Sequence, residues 1–354
     1  MRKIAIVEWG EPLQALEAPT PAPSGSEVLV RVEACGVCHS DVHIWDGYFD
    51  LGAKGRLRLA DRGTKLPFTP GHEIVGRVAA LGPDAEGVAI GKSYIVYPWI
   101  GCGQCAACRG GKELLCPLNR ALGVRCDGGF GDHVIVPHPR YLVPYDGIQR
   151  DLACTYACSG ITAFSALKKA LPLAAEDWVC VIGAGGVGAS ALQMAAAVTS
   201  AKVLVADIDA AKREYALGAG AAAVVDNGAA GAVKQVMTLT NGGAAAVIDF
   251  VGSGATLQFA MDAARRGGKV VVVGLFGGAA TIAPILFPNK LLTVQGSYVG
   301  TLEDLKELIG LVQAGRIAPI PIETRPAADA SAVLADLKSG GRILGRVVLT
   351  HDAA

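Results

Sequence analysis

This sequence has no excess of either charge. Its 32 Lys and Arg are matched by 32 Asp and Glu across 354 residues, and no basic block stands out. Nucleic acid and anionic membrane are therefore excluded as expected partners, because both select for clustered cations. A long apolar run is also missing. The N-terminus, MRKIAIVEWGEP, offers only a brief apolar stretch before Glu8. That is too short for the core of a signal peptide, and no run elsewhere reaches spanning length. Internal repeats, low-complexity segments and long linkers are lacking too. Hydrophobic residues make up 51% and charged residues 18%, which excludes a disordered chain and supplies a large core. The length suggests about two domains. A soluble, cytoplasmic protein is the expectation.

Cysteine, by contrast, is plentiful. Four of the 10 fall within GCGQCAACRGGKELLC (101–116). A reducing compartment keeps thiols free, so a local cluster points to metal rather than to disulfides. The spacing is Cys102-x2-Cys105-x2-Cys108-x7-Cys116. Two residues between thiolates let one tight turn aim both sulfurs at a single point. Four thiolates then close a tetrahedron around zinc with no open position, which is a structural site. Spare core cysteines would not gather among glycines and charges, and a redox pair would lack its thioredoxin-like context.

A second constellation precedes it. EACGVCHSDVHIWDG (33–47) follows the apolar run EVLVRV and holds Cys38, His39, Ser40, Asp41 and His43. Further on, PGHEIVGRVAALG (70–82) holds His72 and Glu73. Taken singly, Cys38 reads as a buried hydrophobe and His72 as a core histidine. Together they suit zinc, with Asp41 available to accept from an imidazole N–H. A catalytic zinc site needs three protein donors and one open position. Cys38 and His72 are two; the third is a Cys, His or carboxylate from elsewhere in the chain.

The second half reads differently. WVCVIGAGGVG (178–188) is a short buried strand followed by G-x-G-x-x-G at Gly183, Gly185 and Gly188, with Gly186 and Val187 between them. ASALQMAAAV continues as a helix, and KVLVAD then ends at Asp207. Glycines let the backbone approach a pyrophosphate, the helix N-terminus supports its charge, and the carboxylate accepts from the adenosine ribose. An Asp there repels a 2′-phosphate, so NAD is expected over NADP, with Arg213 near enough to temper the preference. AAAVVD, AAVIDFVG and KVVVVGL alternate with helical stretches, which indicates a parallel doubly wound sheet. The N-terminal third, with short strands and many turns, is mainly β.

These motifs are similar to those of the zinc-dependent alcohol dehydrogenases of the medium-chain dehydrogenase/reductase family, over nearly the whole chain. GHEIVGRVAALGPDA resembles the family signature GHE-x2-G-x5-G-x2-A. CGVCHSD, the four-cysteine lobe, CSGITAF and VIGAGGVG stand in family order. GSYVG (296–300) and GRVVL (345–349) resemble the tetrameric bacterial and yeast subgroup. The resemblance implies an α/β chain with a GroES-like, mainly-β catalytic domain (1–153 and 292–354) that carries a structural zinc lobe at about 98–118. A Rossmann NAD-binding domain (154–291) is inserted within it. Two zinc ions per chain and NAD are the implied cofactors. The implied partners are an alcohol, aldehyde or ketone substrate and further copies of the chain, as a homotetramer or a homodimer.

The resemblance also assigns roles. Cys158 opens C-x-G-x-T and so becomes the third catalytic-zinc ligand; Cys154 lies outside that motif. Glu73 resembles a carboxylate that approaches zinc during ligand exchange, and Asp41 one that holds the His72 imidazole. Ser40, a cofactor ribose hydroxyl and His43 resemble a proton relay. His39 and Arg346 resemble pyrophosphate partners, and Lys212 an adenosine-ribose lysine. Trp45 and Phe49, with neighbouring Tyr48, resemble pocket walls, and Trp99 is another candidate. Aromatic walls favour an apolar or aromatic alcohol, primary or secondary, over a polyol; the alternative is a zinc dehydrogenase specialised for a polyol, cyclic or carrier-linked hydroxy compound, which fold and motifs leave open. A zinc-free reductase or a non-catalytic binding protein on the same fold would not keep Cys38, His72, Cys158, Ser40 and His43 together. One departure stands out. The segment LGAKGRLRLADRG (51–63) is longer than the family pattern. It reads either as a charged surface loop or as a lid or subunit contact that shapes substrate entry.

Overall fold

The structure is a computed structural model and describes residues 1–340 and 344–351. Among the described residues, two large sheets organise it, beside two small two-stranded ones. The first has seven strands, ordered Ile322–Pro326, Arg346–Thr350, Val28–Gly36, Glu73–Leu81, Ser93–Val96 and Leu142–Val143, with His133–Val136 pairing beside Val28–Gly36. All of its pairings are antiparallel except that of the two C-terminal strands with each other. The strand Arg346–Thr350 thus pairs with the N-terminal strand Val28–Gly36. Val28–Gly36 is the spine of this sheet: Cys35, Val30 and Val32 are buried on it, and its end delivers the chain to Cys38.

The second sheet has six parallel strands, ordered Ala223–Val225, Lys202–Ala206, Trp178–Ile182, Ala244–Asp249, Ala264–Val272 and Thr293–Gly296. Strand order reverses beside Trp178–Ile182, the usual place for a nucleotide crevice in such sheets. Valine and isoleucine make these strands buried on both faces, as parallel strands covered by helices must be. The sheet corrects one expected boundary. Thr293–Gly296 pairs in register with Ala264–Val272, and the helix Leu302–Gln313 packs on the helix Ser159–Ala170. The dinucleotide-type domain thus runs past residue 291. The short strand TVQG gives no apolar run to reveal it.

The glycine turn at the crevice is sterically obligatory. Gly183 has φ +86°, in the left-handed region that favours glycine. A Cβ on Gly188 would overlap the Gly183 carbonyl oxygen, so the helix Gly186–Val198 can start against its strand only with glycine there.

The long segment after Phe49 is not an open loop. Tyr48–Asp50 pairs antiparallel with Arg56–Arg58, and Arg56 stacks over Tyr48 at 4.0 Å. The tip of this hairpin touches the second domain: Gly278 N–H donates to the Asp50 carbonyl at 3.3 Å, and Gly52 abuts Ala279.

Gly188→Ala should destabilise the protein by about 1–3 kcal/mol through overpacking. A lowered denaturant midpoint is the expected result; an unchanged one would mean the turn has room to spare.

Candidate active site and metal centres

Three donors converge although they come from distant parts of the chain. Cys38, His72 and Cys158 each offer a ligand atom, and these atoms lie within 4.8 Å of one another, all buried. Cys38 sits where the spine strand ends and the helix His39–Asp46 begins; His72 follows the Pro70–Gly71 turn; Cys158 precedes the helix Ser159–Ala170. Asp41 fixes the first two. Its carboxylate accepts the Cys38 N–H at 2.8 Å and the Gly71 N–H at 3.2 Å, and lies 3.2 Å from His72 Nδ1. That contact favours the tautomer with its proton on Nδ1, which leaves the Nε2 lone pair for a metal. Neither buried ring nitrogen completes a hydrogen bond among the described residues, as fits an imidazole whose partner is a metal.

The charges of the cluster agree with this. The Cys158 thiol donates to Cys38, holding the Cys38 pKa well below the usual thiol range and pushing that of Cys158 well above it. Burial alone would lower His72, but Asp41 and Cys38 carry its pKa well above the usual value. The cluster attracts positive charge, which a proton or a metal ion can supply. Two thiolates and one imidazole, with no fourth donor in the group among the described residues, fit zinc with an open position. Cys154 does not compete: its thiol donates to the Asp151 carbonyl at 3.2 Å.

Cys102, Cys105, Cys108 and Cys116 form the second group. Sulfur pairs stand 3.5 Å apart (Cys105–Cys108) and 4.0 Å apart (Cys102–Cys108). A tetrahedron with Zn–S of about 2.3 Å requires about 3.8 Å between sulfurs. Backbone N–H groups already point at the sulfurs: Cys102 N to Cys116, Cys105 N to Cys102, and Cys108 N to Cys105, at 3.3–3.4 Å. The N–H groups of Gln104 and Cys105 hold the Cys102 pKa down to about 6. This site is closed and fits structural zinc. Glu113, which carried no motif in the sequence, clamps the lobe. Its carboxylate accepts from Gly101 N–H at 3.0 Å and Tyr141 Oη at 2.7 Å, and pairs with Arg140 at 2.7 Å.

Beside the three-donor cluster, Cys38 Sγ lies 3.8 Å from Ser40 Oγ. One helical turn links His39 to His43, whose rings are 5.4 Å apart. His43 Nε2 is buried without a partner. Burial, and then the neighbouring His39, lower the His43 pKa below 6.5. Glu73 is fully buried; its Oε1 accepts Ser159 N–H at 3.0 Å and pairs with Arg346 at 2.7 Å, while its Oε2 is unpartnered.

Phe49 packs on His43 at 5.0 Å, and Trp99 on His72 at 5.4 Å, so both line the space over the donors. Trp45 does not, which corrects the expectation. It stands two residues past His43, about 200° round the helix. Its indole N–H donates to the Glu11 carbonyl at 2.6 Å, and Lys338 covers its ring. Tyr298 takes the vacant role, edge-on to Trp99 at 5.5 Å. It was visible in GSYVG only as part of a motif. The next residue, Val299, has φ +40°, unfavourable for a β-branched side chain, so the packing around this turn holds it in place.

The glycine loop faces the same space. Arg346 pairs with Glu73 through Nη2, and its Nη1 comes so close to Gly186 that a Cβ there would stand 3.1 Å from it. The helix Gly186–Val198 has no acidic residue in its first turn and no side-chain cap, so its N–H groups are available to an anion. Desolvation, and then the charges of Arg346 and Lys212, lower the His39 pKa against the opposing pull of Cys38 and Asp46. Asp207 ends its strand beside the loop, accepting Ala184 N–H at 2.7 Å and Asp209 N–H at 2.9 Å. Each carboxylate oxygen keeps a lone pair for a ribose hydroxyl. Loop, cations and carboxylate together fit a dinucleotide.

Comparison with known proteins agrees with this geometry. Residues 24–147 match the alcohol dehydrogenase GroES-like domain, and residues 186–314 match the zinc-binding dehydrogenases. The NAD-dependent alcohol dehydrogenase of Sulfurisphaera tokodaii is 38% identical over 99% of each chain. The alcohol dehydrogenase of the hyperthermophilic archaeon Aeropyrum pernix has a similar structure, with a TM-score of 0.89 at 32% identity, covering 99% of this chain and 100% of that one. An acetophenone reductase from Geotrichum candidum, solved in complex with NAD, has a TM-score of 0.84 at 29% identity, covering 99% and 97%.

Metal analysis separates the two centres. Cys158→Ser should lose one zinc per chain and its activity while keeping the melting temperature within a few degrees; retained activity would move the third donor elsewhere. Cys105→Ser should lose the other zinc and lower the melting temperature by about 5 °C or more, since structural metal contributes directly to folding. An unchanged melting curve would remove the structural role.

Proposed function

This chain belongs to the zinc-binding alcohol dehydrogenase family, and from that premise we propose that it exchanges a hydride reversibly between NAD and an apolar or aromatic alcohol. The alcohol is primary or secondary, and the product is an aldehyde or ketone. One observation carries the reading: Cys38, His72 and Cys158 meet under Phe49, Trp99 and Tyr298, across from the glycine loop. Cys38, His72 and Cys158 hold the catalytic zinc; Cys102, Cys105, Cys108 and Cys116 hold the structural one. Gly183 to Gly188, Asp207, Lys212, His39 and Arg346 hold the dinucleotide. Bound zinc supplies a Lewis acid that lowers the pKa of a substrate hydroxyl, and NAD supplies the hydride acceptor.

The chain's own groups do the rest. Ser40, beside Cys38, accepts the substrate's hydroxyl proton as it releases its own toward His43. His43, held neutral at pH 7 by its lowered pKa, is the base that hands the proton to solvent. Asp41 keeps His72 in its ligating tautomer. The unpartnered Glu73 Oε2 can approach the metal during ligand exchange. Phe49, Trp99 and Tyr298 orient an apolar substituent and exclude water. Such walls leave the hydroxyls of a polyol without partners.

Self-association into a homotetramer accords with the subgroup motifs and with exposed Phe276, Ile285 and Leu291 near the edge strand of the second sheet. Ten free cysteines accord with a reducing, cytoplasmic location.

NADH formation across primary, secondary, cyclic and aromatic alcohols and polyols, with and without a zinc chelator, tests the reading. Chelator-sensitive turnover of aromatic or apolar alcohols is expected; turnover of polyols alone would overturn the substrate class. In the same assay His43→Gln should lower kcat about tenfold or more. The wild-type rate should fall with acid only below pH 6.5, where His43 becomes protonated, and the variant should lose that limb. A variant that keeps the limb would assign the base elsewhere.

A further inference from the structure

Asp207 and Asp226 end neighbouring strands. The strands Lys202–Ala206 and Ala223–Val225 pair in parallel, with Ala206 opposite Val225, and Asp207 N–H donates to the Val225 carbonyl at 3.1 Å. The next residue on each strand is therefore a carboxylate at the same corner of the sheet. Between them lies one guanidinium. Arg213, from the helix Ala210–Gly218, donates through Nη1 to the Asp207 carbonyl at 2.7 Å, and the same Nη1 stands 3.3 Å from Asp226 Oδ2. Asp226 Oδ1 accepts Gly228 N–H at 2.9 Å, which holds the carboxylate in place.

This arrangement changes the meaning of Arg213. On sequence it was the cation that would soften discrimination against a 2′-phosphate beside Asp207. In the structure it is already committed, to a backbone carbonyl and to a second carboxylate. We infer that Asp226 is a specificity-determining residue: by pairing with Arg213 it withholds the guanidinium from a 2′-phosphate and adds a second negative charge at that corner, so that plain adenosine ribose is accepted and its 2′-phosphorylated form rejected. The inference rests on the proposed placement of the adenosine ribose at Asp207. It adds that Asp207 does not discriminate alone. With Arg213 paired to Asp226, its guanidinium is not free to offset the Asp207 carboxylate toward a dianionic phosphate. Removing the Asp226 charge takes away one nearby negative charge and frees a planar, multidentate donor suited to phosphate. The pair is partly exposed, with 20% of the Arg213 and 39% of the Asp226 side chain accessible, so the guanidinium can swing outward without unpacking the core.

The test is binding rather than turnover. Calorimetric affinities for 5′-AMP and for adenosine 2′,5′-bisphosphate are measured on the full chain as wild type, Asp226→Asn, Arg213→Gln, the double variant and Asp207→Asn. Asparagine keeps the acceptor for Gly228 N–H, so the turn survives. In Asp226→Asn the affinity ratio of the 2′-phosphorylated to the plain nucleotide should rise about tenfold, the order expected for removing one nearby like charge. In the Arg213→Gln background the same change should yield less than about a third of that gain, because no guanidinium is left to release. An unchanged ratio in Asp226→Asn overturns the inference. So does an equal gain with and without Arg213, since the effect would then be bare charge rather than a freed partner. Weaker 5′-AMP binding in Asp207→Asn supports the ribose placement on its own. If Asp207→Asn binds 5′-AMP as the wild type does, that placement falls first and the inference with it.

Discussion

The buried pair of Glu73 and Arg346 is the joint on which the molecule turns. Two charges taken out of water are costly, and their attraction compensates only when geometry and extra hydrogen bonds are good. Here the extra bond comes from Ser159 N–H, so a strand of the first sheet, a strand from the C-terminal return and the first turn of the helix after Cys158 meet at one carboxylate. Gly36 leaves the space Glu73 occupies. The same guanidinium turns its other nitrogen toward Gly186 at the start of the nucleotide helix. Metal donors on one side and the glycine loop on the other thus both abut a single ionic contact.

The two metal centres show how one element can serve opposite ends. The lobe brings four thiolates together within one short stretch and closes the coordination sphere, leaving a metal nothing to do but hold the chain. The active centre draws its donors from three separate segments and supplies only three. Trp99 packs on its imidazole, and no fourth sulfur joins the group among the described residues. Asp41 makes the difference usable: a buried carboxylate that caps a helix, closes the Pro70–Gly71 turn and orients an imidazole fixes three things with one side chain.

What could be read in advance was what is local. The four-cysteine lobe, the glycine loop with Asp207, and the alternation of short apolar strands with helices all express themselves within a few turns of chain. What needed the structure depends on distance or direction. Cys158 could be chosen over Cys154 only by resemblance, because spacing does not say which of two thiols on adjacent turns points inward. Trp45 and Phe49 lie close in sequence, yet a helix face sends one to Glu11 and a hairpin sends the other to His43. Thr293–Gly296 is too short and too polar to advertise a strand. Glu113 and Asp226 look like ordinary surface acids until their partners, Gly101 and Arg213, are placed beside them.

The hairpin that follows Phe49 ties substrate shape to domain spacing. Phe49 lies in its first strand, between the Arg56-stacked Tyr48 and the Asp50 that meets Gly278 of the other domain. Tyr298, which faces Trp99 across the cleft, also belongs to that other domain. The pocket is therefore walled from both sides, and its width is set by how closely the two domains approach. At the floor that approach is set by Ser159 N–H on Glu73 and by Arg346 against Gly186, and at the rim by Asp50 with Gly278. Trp99 and Tyr298 are themselves in edge-on contact at 5.5 Å, so the two rings that wall the pocket also help to fix the spacing of the domains that carry them.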